Sequence, residues 1–423
     1  MTDTPADQTS DMVPQTDEPV SDKQGSASQP LGRRRRPAPP AHPFFQWVFP
    51  GLVAIAGAVV FLLWIDGTKA VLDTTVGELF APVTEPEAPS FIAFAEPTPT
   101  LLVAHTDADD ALIGVTLLAR TARDNGGTLV VFSPDMLVEL PSGQVGILKQ
   151  VYAADGAEGL ERLLGEFMGF GFTDDPMVLN TDRLAEFLRL VEPIPFVLQD
   201  PLVTVADDGS IEIVVAAGGR EFDGDTLASV FAWRNDSEVD AVRFNRQLAI
   251  WEAWLGEVAV AEDLIAATLP FDEKLPPFLR SLGTGTADLE LVPMSPANFD
   301  PKNPLYVLIK DLESWPADKA REMVPLPIAH TPGARPTVTL LDGIGDASNR
   351  DERMLPIVVE AGAEIRIIGN ADSFDVLETT VAYHLPEDEA TGRALADALG
   401  VELVFVDLPA EPVDLTVTIG ING

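Results

Sequence analysis

One stretch of the chain carries no charge at all: Phe44 to Ile65 reads FFQWVFPGLVAIAGAVVFLLWI. At ~1.5 Å per residue such a helix is roughly 33 Å long, enough for a hydrocarbon core of about 30 Å. Trp47 and Trp64 stand near its ends, where indole rings favour the interface. Pro50 falls in the first turns, where a missing N–H costs least. The competing reading is a cleaved signal peptide. Against it, the run is longer than a signal core, starts far into the chain and is followed by no clean small-residue cleavage site. Residues 43–66 are therefore expected to be one transmembrane helix. The segment before it, 1–42, is polar and rich in Thr, Asp, Gln, Ser and Pro, a composition that predicts a disordered tail.

Beyond the anchor the apolar positions change period. Residues 67–97 read as a Pro-rich, extended stalk. TLLVAH (100–105), ALIGVTLLAR (111–120) and TLVVFS (128–133) predict buried strands. Residues 157–168 and 181–191 have their leucines and phenylalanines at helical spacing. IEIVVAAGG (211–219) predicts a strand, and 225–233 and 239–265 predict helices. This gives an α/β domain over 98–265. Residues 266–334 are Pro-rich and less periodic, and read as a connector. From 335 to 423, strands at 337–343, 364–369 and 379–384, LVFVD and DLTVTIG alternate with helices at 349–361 and 387–399. That pattern predicts a second, smaller α/β module.

Composition narrows the chemistry. The formal net charge is −40, and residues 43–423 carry 22 basic and 61 acidic side chains, a net of −39. A nucleic-acid backbone would be repelled by such a field. The chain has no cysteine, which excludes disulfides and thiol chemistry. Its four histidines, at 42, 105, 330 and 384, show no zinc spacing. Arg33, Arg34, Arg35 and Arg36 lie just before the apolar run, so the N-terminus is expected in the cytoplasm and the two modules outside.

Three loops after strand ends collect charged side chains, where α/β sheets commonly place ligands. The first holds Asp107, Asp109 and Asp110, and the second holds Asp135. The third, RNDSEVDAVRFNRQ (234–247), spaces Asp240, Arg243 and Arg246 along one drifting helix face. Carboxylates beside guanidiniums suit a phosphate ester with a divalent metal; surface ion pairs are the plainer reading of the same residues. DGIGDASNR (342–350) is read as a tight strand-to-helix turn capped by Ser348 or Asn349; it has too few glycines and no lysine for a phosphate loop.

The order of these features resembles the LytR-CpsA-Psr family. The resemblance is carried by the strand with Asp107 and Asp110, the strand before Asp135, the stretch GREFDGDTLASVFAWR (219–234) and D-x-x-R-x-x-R-Q (240–247). The C-terminal module is similar to the LytR C-terminal domain of actinobacterial proteins, through TVTLLDGIG, IGNAD (368–372), TTVAY and DLTVTIG. The resemblance implies a magnesium-dependent phosphotransferase at the outer membrane face, moving a glycopolymer from a polyprenyl-pyrophosphate carrier onto peptidoglycan. By it, Asp107, Asp110, Asp135 and Asp240 look like the family's catalytic aspartates, with Asp107 and Asp110 at the metal. Arg234, Arg243 and Arg246 look like its phosphate-binding arginines.

Three departures cut against catalysis. Ala108, Pro134 and Ala232 stand where the family has arginines. Arg120, Arg123 and Arg220 are the possible substitutes. A transition-state arginine alone is worth ~10³–10⁵ in rate. The expectation is therefore a weakened or non-catalytic relative, binding wall glycopolymer, its lipid-linked precursor or an envelope partner. The alternative is a working transferase with a rearranged arginine set. A sensor feeding the cytoplasmic tail ranks last, because the tail holds no recognisable domain.

Overall fold

The computed structural model describes residues 83–121, 125–140, 142–206, 208–235, 238–261, 274–298, 304–346, 349–407 and 412–422. The tail, the expected transmembrane helix and the first part of the stalk lie outside these residues. Among the described residues no helix is long and apolar enough to cross a membrane.

The described chain enters through a short strand, β1 (Ile92–Phe94). The strands β2 (Thr100–Thr106), β3 (Leu112–Arg120) and β4 (Gly126–Phe132) follow, then helix α1 (Leu148–Met168). Next come strand β5 (Met177–Asn180) and helices α2 (Thr181–Leu188), α3 (Gly224–Ala232), α4 (Asp240–Val260) and α5 (Leu275–Thr284). Strand β6 (Thr286–Leu291) and helix α6 (Trp315–Met323) complete this part. The sheet order is β6-β4-β3-β2-β5: the central hairpins β2–β3 and β3–β4 are antiparallel, and β5 and β6 add as parallel strands.

Helices cover both faces of this sheet, which is why its central strands read as continuous apolar runs. One face packs Leu101, Val103, Leu118 and Leu129 against α2, α3, α4 and α5. The other packs Leu102, Leu117, Val130 and Phe132 against α1 and α6. The helix expected over 157–168 is the second half of α1, which begins at Leu148 and is broken at Gly156, where φ is 68°.

Two boundaries differ from the sequence reading. β6 lies inside the stretch read as a connector, yet it pairs with β4 along its whole length. Its sequence TADLEL is only half buried at the sheet edge, so it carries no strong apolar run. Likewise β1 lies in the stretch read as stalk, but its backbone pairs with the C-terminal sheet. The IEIVV strand (211–215) pairs with 202–205 in a separate two-stranded ribbon, and is largely exposed.

The C-terminal module consists of β7 (Thr337–Asp342), α7 (Leu355–Glu360), β8 (Glu364–Asn370), β9 (Thr380–Tyr383), α8 (Glu389–Leu399), β10 (Glu402–Phe405) and β11 (Leu415–Ile419). Its strand order is β1-β8-β7-β11-β9-β10. The turn after β7 is fixed by Asp342, whose Oδ1 accepts from the N–H groups of Ile344 and Gly345. Ser348 lies outside the described residues, and so does the side chain of Asn349. Arg335 joins the two modules: its guanidinium donates to the carbonyls of Gly169, Val359 and Ala363.

His105 sits at the heart of the first sheet, fully buried between Phe231 and Trp251, with Nε2 against the Thr116 hydroxyl at 3.0 Å. Burial pushes its pKa down from 6.5 to about 3. The folded state therefore refuses a proton that the unfolded chain takes up. Stability from this residue is complete above pH 6.5 and is lost as pH falls towards 3, at roughly 1.4 kcal/mol per pH unit. His105→Gln should flatten the acid limb of a stability-versus-pH curve by that slope. Parallel curves for the two proteins would show that His105 is not held neutral.

Candidate anion site at the end of the first sheet

The D-x-x-R-x-x-R-Q segment opens α4, and its residues divide into two jobs. Arg246 and Gln247 turn towards the end of α3. Arg246 Nε donates to Val230 O at 3.0 Å, its Nη2 reaches Trp233 O, and its Nη1 pairs with Glu238. Gln247 Nε2 donates to Phe231 O at 3.2 Å and to Ile113 O at 3.3 Å. The last carbonyls of a helix have no partner within it and carry its negative pole, so a cation and an amide capping them are well matched. Arg246 is thus a buried cap rather than a ligand-facing group.

Arg243 and Asp240 face the other way. Asp240 is 1% exposed. Its Oδ1 lies 3.3 Å from Arg234 Nε and 3.5 Å from Arg243 Nη2. Its Oδ2 accepts from the Tyr306 hydroxyl at 3.2 Å. Tyr306 comes from the stretch read as a connector and is placed by its backbone, with its N–H donating to Asp135 O at 3.1 Å. Asp135 follows β4, is buried, and pairs through Oδ1 with Lys149 in the first turn of α1. Three residues further along that turn, Tyr152 donates to Asp110 Oδ1 at 3.2 Å. One turn of helix therefore brings the Asp110 and Asp135 loops together.

The charges show what this packing does. Burial lowers the pKa of Arg243, against the raising effect of Asp240. Tyr306 is pushed up to about 12, by burial first and then by the charge of Asp240 and the hydrogen bond to it. Among the described residues Arg243 makes no hydrogen bond. Its side chain is 7% exposed, its Nε is a buried donor without a partner, and its contacts are the ion pair with Asp240 and the ring of Phe244. Buried guanidinium donors are normally hydrogen-bonded, and Nε of Arg243 has no acceptor from the protein. Lys149 and Arg234, with side chains 40% and 33% exposed, link the buried pairs to solvent.

Asp107 has another role. Its Oδ1 accepts from the N–H groups of Asp109 and Ala111, which shapes the hairpin between β2 and β3 and places Asp110 at φ 62°. No group of three or more His, Cys, Asp or Glu among the described residues is placed to hold a metal ion.

The three positions set against arginines by the family resemblance fall on separate elements. Ala108 is in the Asp107 hairpin, Pro134 precedes Asp135, and Ala232 ends α3. Of the possible substitutes, Arg120 ends β3 at the far end of the sheet, beside Phe278, and Arg220 lies over the ring of Phe222. Arg123 is outside the described residues. The sequence pattern does not single out Lys149 or Tyr306. One signal was available for each. A lysine is unusual in the first turn of a helix, and Tyr306 is one of only three tyrosines in the chain.

Behind the cluster the core is filled. Phe187, Leu227, Phe231 and Trp254 are at most 1% exposed, and Phe187 stacks on Trp254 with centroids 4.2 Å apart. A passage wide enough for water would leave accessible surface on its walls. On the other side a groove of about 650 Å³ has Leu137, Leu140, Phe167, Val307 and Leu308 among its walls, together with the charged Glu139, Lys310 and Glu313.

The chain is similar to solved structures over roughly half its length. TagV from B. subtilis matches at 13% identity with a TM-score of 0.43, over 54% of this chain and 97% of that one. A LytR-Csp2A-Psr enzyme from Actinomyces oris matches at 16% identity with a TM-score of 0.39, over 54% and 96%. A transcriptional regulator from Enterococcus faecalis matches at 20% identity with a TM-score of 0.42, over 54% and 87%. No family model and no curated protein matches the sequence.

Proposed function

We propose that this chain is a cell-envelope protein of the LytR-CpsA-Psr type. In this reading residues 43–66 anchor it in the cytoplasmic membrane, and the two α/β modules lie outside. The site binds the phosphates of a wall glycopolymer or of its polyprenyl-pyrophosphate-linked precursor, without transferring the polymer at the rate of an intact relative. The observation that carries this reading is Arg243, a buried cation whose Nε has no protein acceptor, beside a partly exposed lysine and arginine. Against catalysis stand the absent arginines at 108, 134 and 232, and the use of Arg246 as a helix cap.

A second reading, active phosphotransfer, is favoured by the groove of about 650 Å³ that begins at Val307, the neighbour of Tyr306: its leucine, valine and phenylalanine walls suit a prenyl chain, although Glu139, Lys310 and Glu313 also line it. Magnesium belongs to this reading alone. Asp107 and Asp110 would hold it through oxygens not engaged at the hairpin, with the ligand's phosphates completing the shell. One experiment separates the two readings. The full-length chain in detergent is titrated with a polyprenyl pyrophosphate, with and without magnesium, and binding and pyrophosphate cleavage are followed separately. Binding is expected with cleavage at least ~10³-fold below that of an intact relative, the effect of losing one transition-state arginine. Turnover comparable to that relative would establish the second reading.

A further inference from the structure

We propose that Lys149 and Tyr306 are ligand-contacting residues of this anion site, supplying an ammonium and a hydroxyl beside the position where Pro134 replaces an arginine. The inference rests on the anion-binding reading above and names the groups that make it workable.

The backbone places both residues at the same spot. Lys149 N–H donates to Pro134 O at 2.8 Å, and Tyr306 N–H donates to Asp135 O at 3.1 Å. Two consecutive carbonyls thus hold α1 on one side and the strand of Tyr306 on the other, and both side chains leave from beside residue 134. Their polar ends meet the two carboxylates that order the cluster: Lys149 on Asp135, Tyr306 on Asp240. Asp240 is also the partner of Arg234 and Arg243. Two internal carboxylates therefore hold four donors, of which two reach solvent. An entering phosphate or pyrophosphate has the same chemistry as those carboxylates, and takes a share of the same donors.

The change from arginine has a consequence for recognition. A lysine offers a mobile point charge, whereas an arginine offers a planar fork that grips two oxygens at once. The site keeps attraction for polyanionic phosphate but loses part of the fixed geometry that holds a phosphoryl group for transfer.

The test is a calorimetric titration of the full-length chain in detergent with inorganic pyrophosphate. Lys149→Gln is expected to weaken binding about tenfold, and Tyr306→Phe several-fold, in keeping with one charge-assisted and one neutral hydrogen bond. Lys149→Arg should bind at least as well as the parent. Asp135→Asn is the variant that a purely structural ion pair would not reward: it frees Lys149 and should tighten binding several-fold. If Lys149→Gln, Tyr306→Phe and Asp135→Asn all bind like the parent while Arg243→Gln does not bind, this inference is overturned and the anion site remains. If the parent chain does not bind pyrophosphate, the anion-site reading falls and this inference with it.

Discussion

Arg243→Gln should lower the affinity for pyrophosphate by at least a hundredfold and leave the folded chain as stable as the parent, or more so. The two halves of this expectation have one cause. Arg243 has been taken out of water and given a single ion pair at 3.5 Å in return, with no hydrogen bond among the described residues. That arrangement costs the folded state, and an anion relieves the cost. Charge-assisted hydrogen bonds contribute about 1.5–3 kcal/mol each, so two of them account for a hundredfold. Asp240 keeps Arg234 and Tyr306 when Arg243 is gone, so the fold loses little. Calorimetry and thermal melting on the same preparation read both halves. Parent-like affinity, or a large drop in melting temperature, would make Arg243 a structural group.

Asp240→Ala should act in the opposite sense, costing about 3–5 kcal/mol of unfolding free energy, the usual result of stripping a buried cation of its partner. Arg234, Arg243 and the Tyr306 hydroxyl would then converge on a place with no anion. Pyrophosphate should recover part of that loss, because it stands in for the missing carboxylate, and the variant should bind it more tightly than the parent. Denaturant unfolding with and without pyrophosphate measures this. A loss below about 1 kcal/mol, or no recovery, would mean that Asp240 does not organise the cations.

These contrasts show which parts of the site the sequence carries. The spacing of Asp240, Arg243 and Arg246 is legible because all three lie on one helix. Their division into a site pair and a helix cap is not, since it depends on where α3 ends relative to α4. Asp107, Asp110 and Asp135 stand out as acidic residues after apolar strands. Which of them faces the cluster is decided by hairpin geometry and by Lys149 and Tyr152 one turn apart on α1. Tyr306 was hidden for a different reason. Its strand is three residues long and sits in a Pro-rich stretch with no period, so only its pairing beside Asp135 brings it to the site.

The fold follows the same rule. β2, β3 and β4 are buried on both faces and announce themselves as apolar runs. β1 and β6 are edge strands whose place is fixed by backbone pairing, and both fall in stretches that composition assigns to stalk and connector. Long-range pairing of a weakly apolar strand leaves little trace in a local pattern.

In the proposed reading an oxyanion supplies the acceptor that Nε of Arg243 lacks within the protein. The direct measurement is the NMR signal of its Nε–H in the full-length chain, assigned by comparison with Arg243→Gln, as inorganic pyrophosphate is added. That resonance should move downfield to a saturating limit, and its exchange with water should slow. A signal that stays in place through the titration would contradict it.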